Sequence, residues 1–127
     1  MIINDICTYL DTELDTLTAE TNLFKTFMPD SPTTCVCIYD TGGATPSRDI
    51  PDGLPTFQVI VRSSDYETGK NLIDSIVDKL HQKRSSELVS GETFFYWIYL
   101  MGEAGHIGLD KKERDQFSVN FETRIRR

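Results

Sequence analysis

The sequence predicts an α+β domain: a mostly antiparallel sheet of about five strands with two helices packed on one face, in the order α-β-β-β-α-β-β. Three observations carry this. Within residues 53–82 the hydrophobic period changes. Phe57, Val59 and Val61 alternate with Gln58, Ile60 and Arg62 as in a strand, and after Ser63-Ser64 the residues Leu72, Ile73, Ile76, Val77 and Leu80 recur at helical spacing. Near the start, Ile3, Ile6, Cys7, Leu10, Leu14 and Leu17 keep the same helical spacing. Residues 116–125 alternate throughout, with Phe117, Val119, Phe121, Thr123 and Ile125 on one face and Ser118, Asn120, Glu122 and Arg124 on the other. A chain of 127 residues fits a single domain, 1–127.

The first helix is expected over 3–17, with Asn4 as its cap and Asp5 near the positive end of the helix dipole. A short strand follows over 22–28, with Leu23 and Phe27 facing the core, and Pro29-Asp30-Ser31-Pro32 breaks it. The next strand spans 34–40. Residues 41–55 then hold three glycines and three prolines, which leaves no room for regular structure. A connection that long in a small domain is either mobile or used for contact, and contact is the reading adopted. The strand over 57–62 leads into the second helix, where Ser64 and Glu67 stand in the Ser-x-x-Glu relation of a capping box.

Residues 93–101, TFFYWIYLM, are the most hydrophobic stretch, and their aromatics fall on both faces of a strand. One layer of helices covers only one face. The other face either meets another chain or is hidden by a core that curls round on itself. Gly102, Gly105 and Gly108 punctuate the next connection, 102–114, ahead of the last strand.

The formal charge of −7 argues against general or sequence-specific nucleic-acid binding, which needs concentrated Lys and Arg. Arg124, Arg126 and Arg127 are grouped, while acids prevail over the first fifty residues. This basic stretch either suits acidic neighbours, other copies included, or simply solvates the last strand. No run approaches the ~20 apolar residues that cross a bilayer, and the first residues lack a signal-peptide pattern, so synthesis in the cytoplasm and no membrane partner are expected.

Three cysteines without an export signal suggest reduced thiols. Cys35 and Cys37 share one side of a strand, and buried thiols are preferred to a zinc site because His81 and His106 are isolated. His81 is read as a complement to the helix dipole and His106 as a surface residue. Gly42-Gly43 lacks a phosphate-loop pattern, and Asp49/Asp52 lack calcium-loop spacing. No catalytic residue, cofactor or metal site is therefore expected, and the chain is expected to work through its surfaces.

Two stretches carry a family resemblance. One is Leu54-Pro55-Thr56-Phe57-Gln58-Val59-Ile60-Val61-Arg62 followed by the helix bearing Leu72, Ile73, Ile76 and Leu80. The other runs from Ile107-Gly108-Leu109-Asp110 through Arg114 to Phe117-Ser118-Val119-Asn120-Phe121. With these, the chain resembles the small minor capsid or tail-completion proteins of long-tailed bacteriophages, the tail terminators among them. The resemblance implies a homo-oligomeric ring, commonly a hexamer, that caps the tail tube and offers a surface to the head connector. It also implies residence in the virion after assembly in the host cytoplasm, with tail tube and head-completion or neck proteins as partners. A head-completion or neck protein, or a monomeric protein-binding module, is the alternative. Contacts are expected at Gly43, Arg48, Asp49 and Asp52 in the first connection, and at Trp97 in the aromatic strand. Glu103, His106, Asp110 and Arg114 are expected to serve in the second connection, and Arg124 and Arg126 in the last strand. Deleting 43–50 is expected to leave a folded protein that fails to join tails to heads.

Overall fold

The computed structural model describes residues 2–44, 52–81 and 93–126. Helix α1 (Ile2–Glu13) is followed by β1 (Leu23–Lys25), β2 (Cys35–Gly43), β3 (Asp52–Gly53) and β4 (Pro55–Ser63). Helix α2 (Tyr66–Leu80) then leads to β5 (Phe95–Leu100), β6 (Gly105–Leu109) and β7 (Asp115–Arg126). The class is α+β, with two helices, as expected. The sheet is mixed and has seven strands, where a mostly antiparallel sheet of about five was expected, and the element order changes with it.

Two features account for the difference. Residues 26–34 carry the chain back to its starting end, so β1 lies parallel to β2, with Leu23 opposite Val36. The glycine-rich connections also hold short strands: β3 pairs with the end of β7, and β6 lies within the expected 102–114 loop. Gly105 and Gly108 hide the period-two signal of β6, leaving only Ile107 and Leu109 to suggest it.

Strand β7 organises the sheet. One edge pairs with β4 (Val61 opposite Phe117, Val59 opposite Val119, Phe57 opposite Phe121) and the other with β6 and then β5. Because paired residues share a face, Val36, Ile38, Phe57, Val59, Val61, Phe117, Val119 and Phe121 form one apolar surface. Ile3, Ile6 and Leu10 of α1 and Ile73, Ile76 and Leu80 of α2 close over it as one core. The alternation read for the last strand is thus its division between core and open face.

Local corrections follow from competing hydrogen bonds. Asp65, not Ser64, caps α2: its carboxylate accepts from the Thr68 N–H at 2.7 Å, while Ser63 Oγ donates to the Asp65 carbonyl. Asn4 lies inside α1 and accepts from Lys25 Nζ at 2.7 Å. Helix α1 ends at Glu13, four residues before Leu17, although Leu17 is still buried. Phe27 is 71% exposed, since the chain leaves β1 at Lys25. In β5, Phe95 and Ile98 enter the core while Tyr96 and Tyr99, with Phe94 just before the strand, stay exposed, so the second face of this stretch is open. Cys35 and Cys37 are free and buried as expected, on the face away from the helices, opposite Arg62 and Ile60.

Candidate functional site

The residues expected to make contacts fall into three places. The first is the end of the sheet where β6 turns into β7. Asp110 Oδ1 accepts from the backbone N–H groups of Lys112 and Arg114, both at 2.9 Å, which closes the turn. Asp110 Oδ2 takes Arg114 Nε at 2.8 Å and Nη2 at 2.7 Å. The same guanidinium reaches the Asp30 carbonyl at 2.7 Å and its carboxylate at 2.9 Å, and Lys112 joins Asp30 as well. The Arg114 hydrogen bonds hold the Asp110 carboxyl down at about 2. Lys112 and then Arg114 lower that of Asp30. His106 Nε2 lies 2.9 Å from Asp115 Oδ1, with its ring against Phe117. Asp110, Arg114 and His106 are therefore engaged within the chain. The apolar side chains beside them, Tyr66, Ile107 and Leu109, are the exposed ones.

The second place is the far end of β7. Arg124 Nε and Nη2 both reach Asp52 Oδ2 at 2.8 Å, tying β3 to β7 across 72 residues of sequence. Its guanidinium lies 5.8 Å from the Tyr96 ring centre, and that of Arg126 lies 4.4 Å from the Phe94 ring centre. The grouped arginines are therefore partly engaged by an acid and by aromatics of the neighbouring strand.

The third place is the sheet face without helices. Gly43, Trp97 and Glu103 come together there around a shallow groove whose other lining residues include Thr41, Leu54, Thr56, Met101, Asn120 and Glu122. None of these latter residues was expected to make contacts, although Leu54, Thr56 and Asn120 lie in the motif-bearing stretches. The signal was present in the alternation of the last strand, which puts Asn120 and Glu122 on one side. Gly43 has a structural reason to be glycine: its φ is +147°, and a Cβ there would lie 2.2 Å from the Leu54 carbonyl oxygen. Arg48 and Asp49 lie outside the described residues.

The family-like motifs divide in the same way. Gln58 sits opposite Asn120 and Ile60 opposite Ser118 on the open face. Arg62 is a brace. Only 4% exposed, it donates to the carbonyls of Thr33 (3.1 Å), Pro29 (2.6 Å) and Pro32 (2.7 Å), fixing the 29–33 loop at the sheet end.

Among the described residues no group of three or more His, Cys, Asp or Glu side chains could hold a metal ion, and no helix is long and apolar enough to cross a membrane.

Comparison with known proteins adds the family. Among solved structures, a chain described as part of the virion of a native gene transfer agent (GTA) particle is similar, with a TM-score of 0.61 and 15% sequence identity. The match covers 83% of this chain and 78% of that one, and at such identity it shows a shared fold. None of the curated proteins compared with the chain matches it. The family model for bacteriophage tail terminator proteins matches residues 5–127. The match spans both motif-bearing stretches and all but the first residues, so the chain belongs to the bacteriophage tail terminator family and is a structural virion protein of tail completion.

Proposed function

We propose that copies of this chain assemble head to tail into a ring, a hexamer, that caps the finished tail tube and presents a surface to the head-completion or neck protein. One observation supports the ring most: the outer edge of β5 and β6. Neither strand pairs with any described strand but β7, and the edge carries exposed Phe94, Tyr96, Tyr99, Ile107 and Leu109. An uncovered sheet edge with that much apolar surface is an association site unless something blunts it. A ring needs one patch to meet a different patch on its neighbour, and the three places described above differ in character as that requires.

The role proposed is one of contact without catalysis, and the family's structural role supports it. The chain is made in the host cytoplasm and ends in the virion. Light scattering over a concentration series, with electron microscopy of the purified protein and of the protein added to tail tubes, tests the ring. Closed rings in either setting are expected. A particle that stays single at every concentration and on tubes would sink the proposal.

A further inference from the structure

A hollow of about 300 Å³ opens where β2 begins, between α2 and the 16–22 connection. Buried Leu17 and Cys35, half-buried Leu72 and exposed Thr16, Asn71 and Ser75 line it, and none of its lining residues is charged. We propose that this hollow receives the tip of β6, Ile107 and Leu109, from the next copy of the chain. It would be the second half of the ring joint, and so it rests on the ring reading above.

Position in the sheet makes the two patches complementary. The hollow lies beside β1 and β2, whereas β6 lies beyond β7 in the order β1-β2-β4-β7. Three strand spacings, roughly 14 Å, separate β2 from β6, so the patches occupy opposite flanks of one molecule. Head-to-tail closure requires different patches placed in that way. Exposed Phe27 does not meet the requirement. It follows β1 on the hollow's own flank, and contact between like flanks closes a pair. The aromatics at the β5 edge are engaged within the chain, Phe94 by Arg126, Tyr96 by Arg124 and Tyr99 by Trp97. Ile107 and Leu109, 54% and 59% exposed, are the aliphatic part of that edge.

Charge fits as well. Residues 104–109 carry no acid, lysine or arginine, and His106 is bound to Asp115. In the turn beyond them Asp30, Asp110 and Glu113 balance Lys111, Lys112 and Arg114. A neutral apolar tip entering a neutral hollow desolvates no charge, as suits the core of an interface. Exposed Asp15, Glu67 and Asp74, each next in sequence to a lining residue, would repel an acidic occupant. The stretches outside the described chain join it elsewhere: after Ala44, past the Gly43 end of β2, and after His81, at the far end of α2 from Thr68.

Two blocked variants test the joint. Ile107→Lys/Leu109→Lys spoils the tip, and Asn71→Lys/Ser75→Lys obstructs the mouth of the hollow; all four positions are exposed. Each variant alone should keep the parent's thermal midpoint within a few degrees and scatter as one chain. Mixed in equal amounts, they should form pairs and nothing larger, since the mixture offers one sound tip to one sound hollow. Hollow variants that assemble as the parent does would give the hollow to a different partner and overturn the proposal, with the ring untouched. A mixture that stays single, or that builds full rings, would overturn it too. Mild oxidation checks the geometry in solution and on tail tubes. Leu109→Cys copies should link to Asn71→Cys copies and not to Thr12→Cys copies, the native thiols being buried. No selective link in either setting would also overturn the joint. A parent that associates without closing, while the blocked variants still pair, sinks the ring alone.

Discussion

Arg114 grips Asp110 through Nε and Nη2 while its remaining reach goes to Asp30, so one guanidinium locks the β6–β7 turn onto the 29–33 loop. The bond has a pH signature. Asp110 titrates at about 2 in the folded chain because of Arg114, against about 3.9 for an unfolded aspartate. A depressed carboxyl adds stability that is complete above the unfolded value and is lost as pH falls through the folded one. The urea midpoint should therefore fall between about pH 4 and pH 2 more steeply in the parent than in Asp110→Asn. Equal slopes would show that the pair contributes nothing.

Gly69 lies in α2 where alanine would ordinarily help by about 1 kcal/mol. Here a Cβ would meet the Phe117 ring at 2.5 Å and Ser63 Oγ at 2.6 Å. Both neighbours are buried, so overpacking wins and Gly69→Ala should cost about 1–3 kcal/mol by chemical denaturation. A stabilised variant would mean that α2 can lift from β7 freely.

Arg62 satisfies three carbonyls from within the sheet. An ammonium group lacks the planar fork that reaches three separate carbonyls, so Arg62→Lys should lose at least one charge-assisted bond and about 2–3 kcal/mol. The parallel change in amide-exchange protection should be confined to β2, β4 and the 29–33 loop. An unaltered denaturation midpoint would remove Arg62 from the account.

Cys7, Cys35 and Cys37 are buried, and burial raises all three thiols above their ordinary value. Native protein at pH 8 should therefore resist alkylation, and all three thiols should react in denaturant. Rapid native labelling of Cys35 or Cys37 would mean that the 29–33 loop opens.

Periodicity made the helices and the long strands legible, because burial on one face leaves a record in every second or every third to fourth residue. Phe117, Val119 and Phe121 were readable for that reason. Strand β6 was not, since glycine carries no hydropathy and a bulge between His106 and Gly108 breaks its alternation. Strand β1 falls within the strand expected over 22–28, but its parallel pairing was hidden, since burial of Leu23 records a covered face and not the direction of the neighbouring strand. Among the contact candidates, Gly43, Trp97 and Glu103 converge, whereas Asp110 and Arg114 proved to be one internal lock. Charged residues four apart at a turn look alike in sequence whether they face a partner or each other. The earlier deletion also needs a new boundary: Gly43 pairs with Pro55 at the end of β2, so removal should begin after Ala44.

The sheet edge yields the most direct prediction about assembly. Monomeric β proteins protect their edges with lysine, whose charge must be desolvated before another surface can close over it. Tyr96 is 39% and Ile107 54% exposed, so replacing both costs the fold little, about 0.5 kcal/mol each. Tyr96→Lys with Ile107→Lys should therefore leave the thermal midpoint within a few degrees of the parent while the scattering mass drops to that of one chain. The same variant should fail to restore infectious particles to a phage lacking this protein. Rings of normal size from the double variant would place the contact between copies elsewhere on the molecule, because two ammonium groups buried at the joint would cost more than the contact returns.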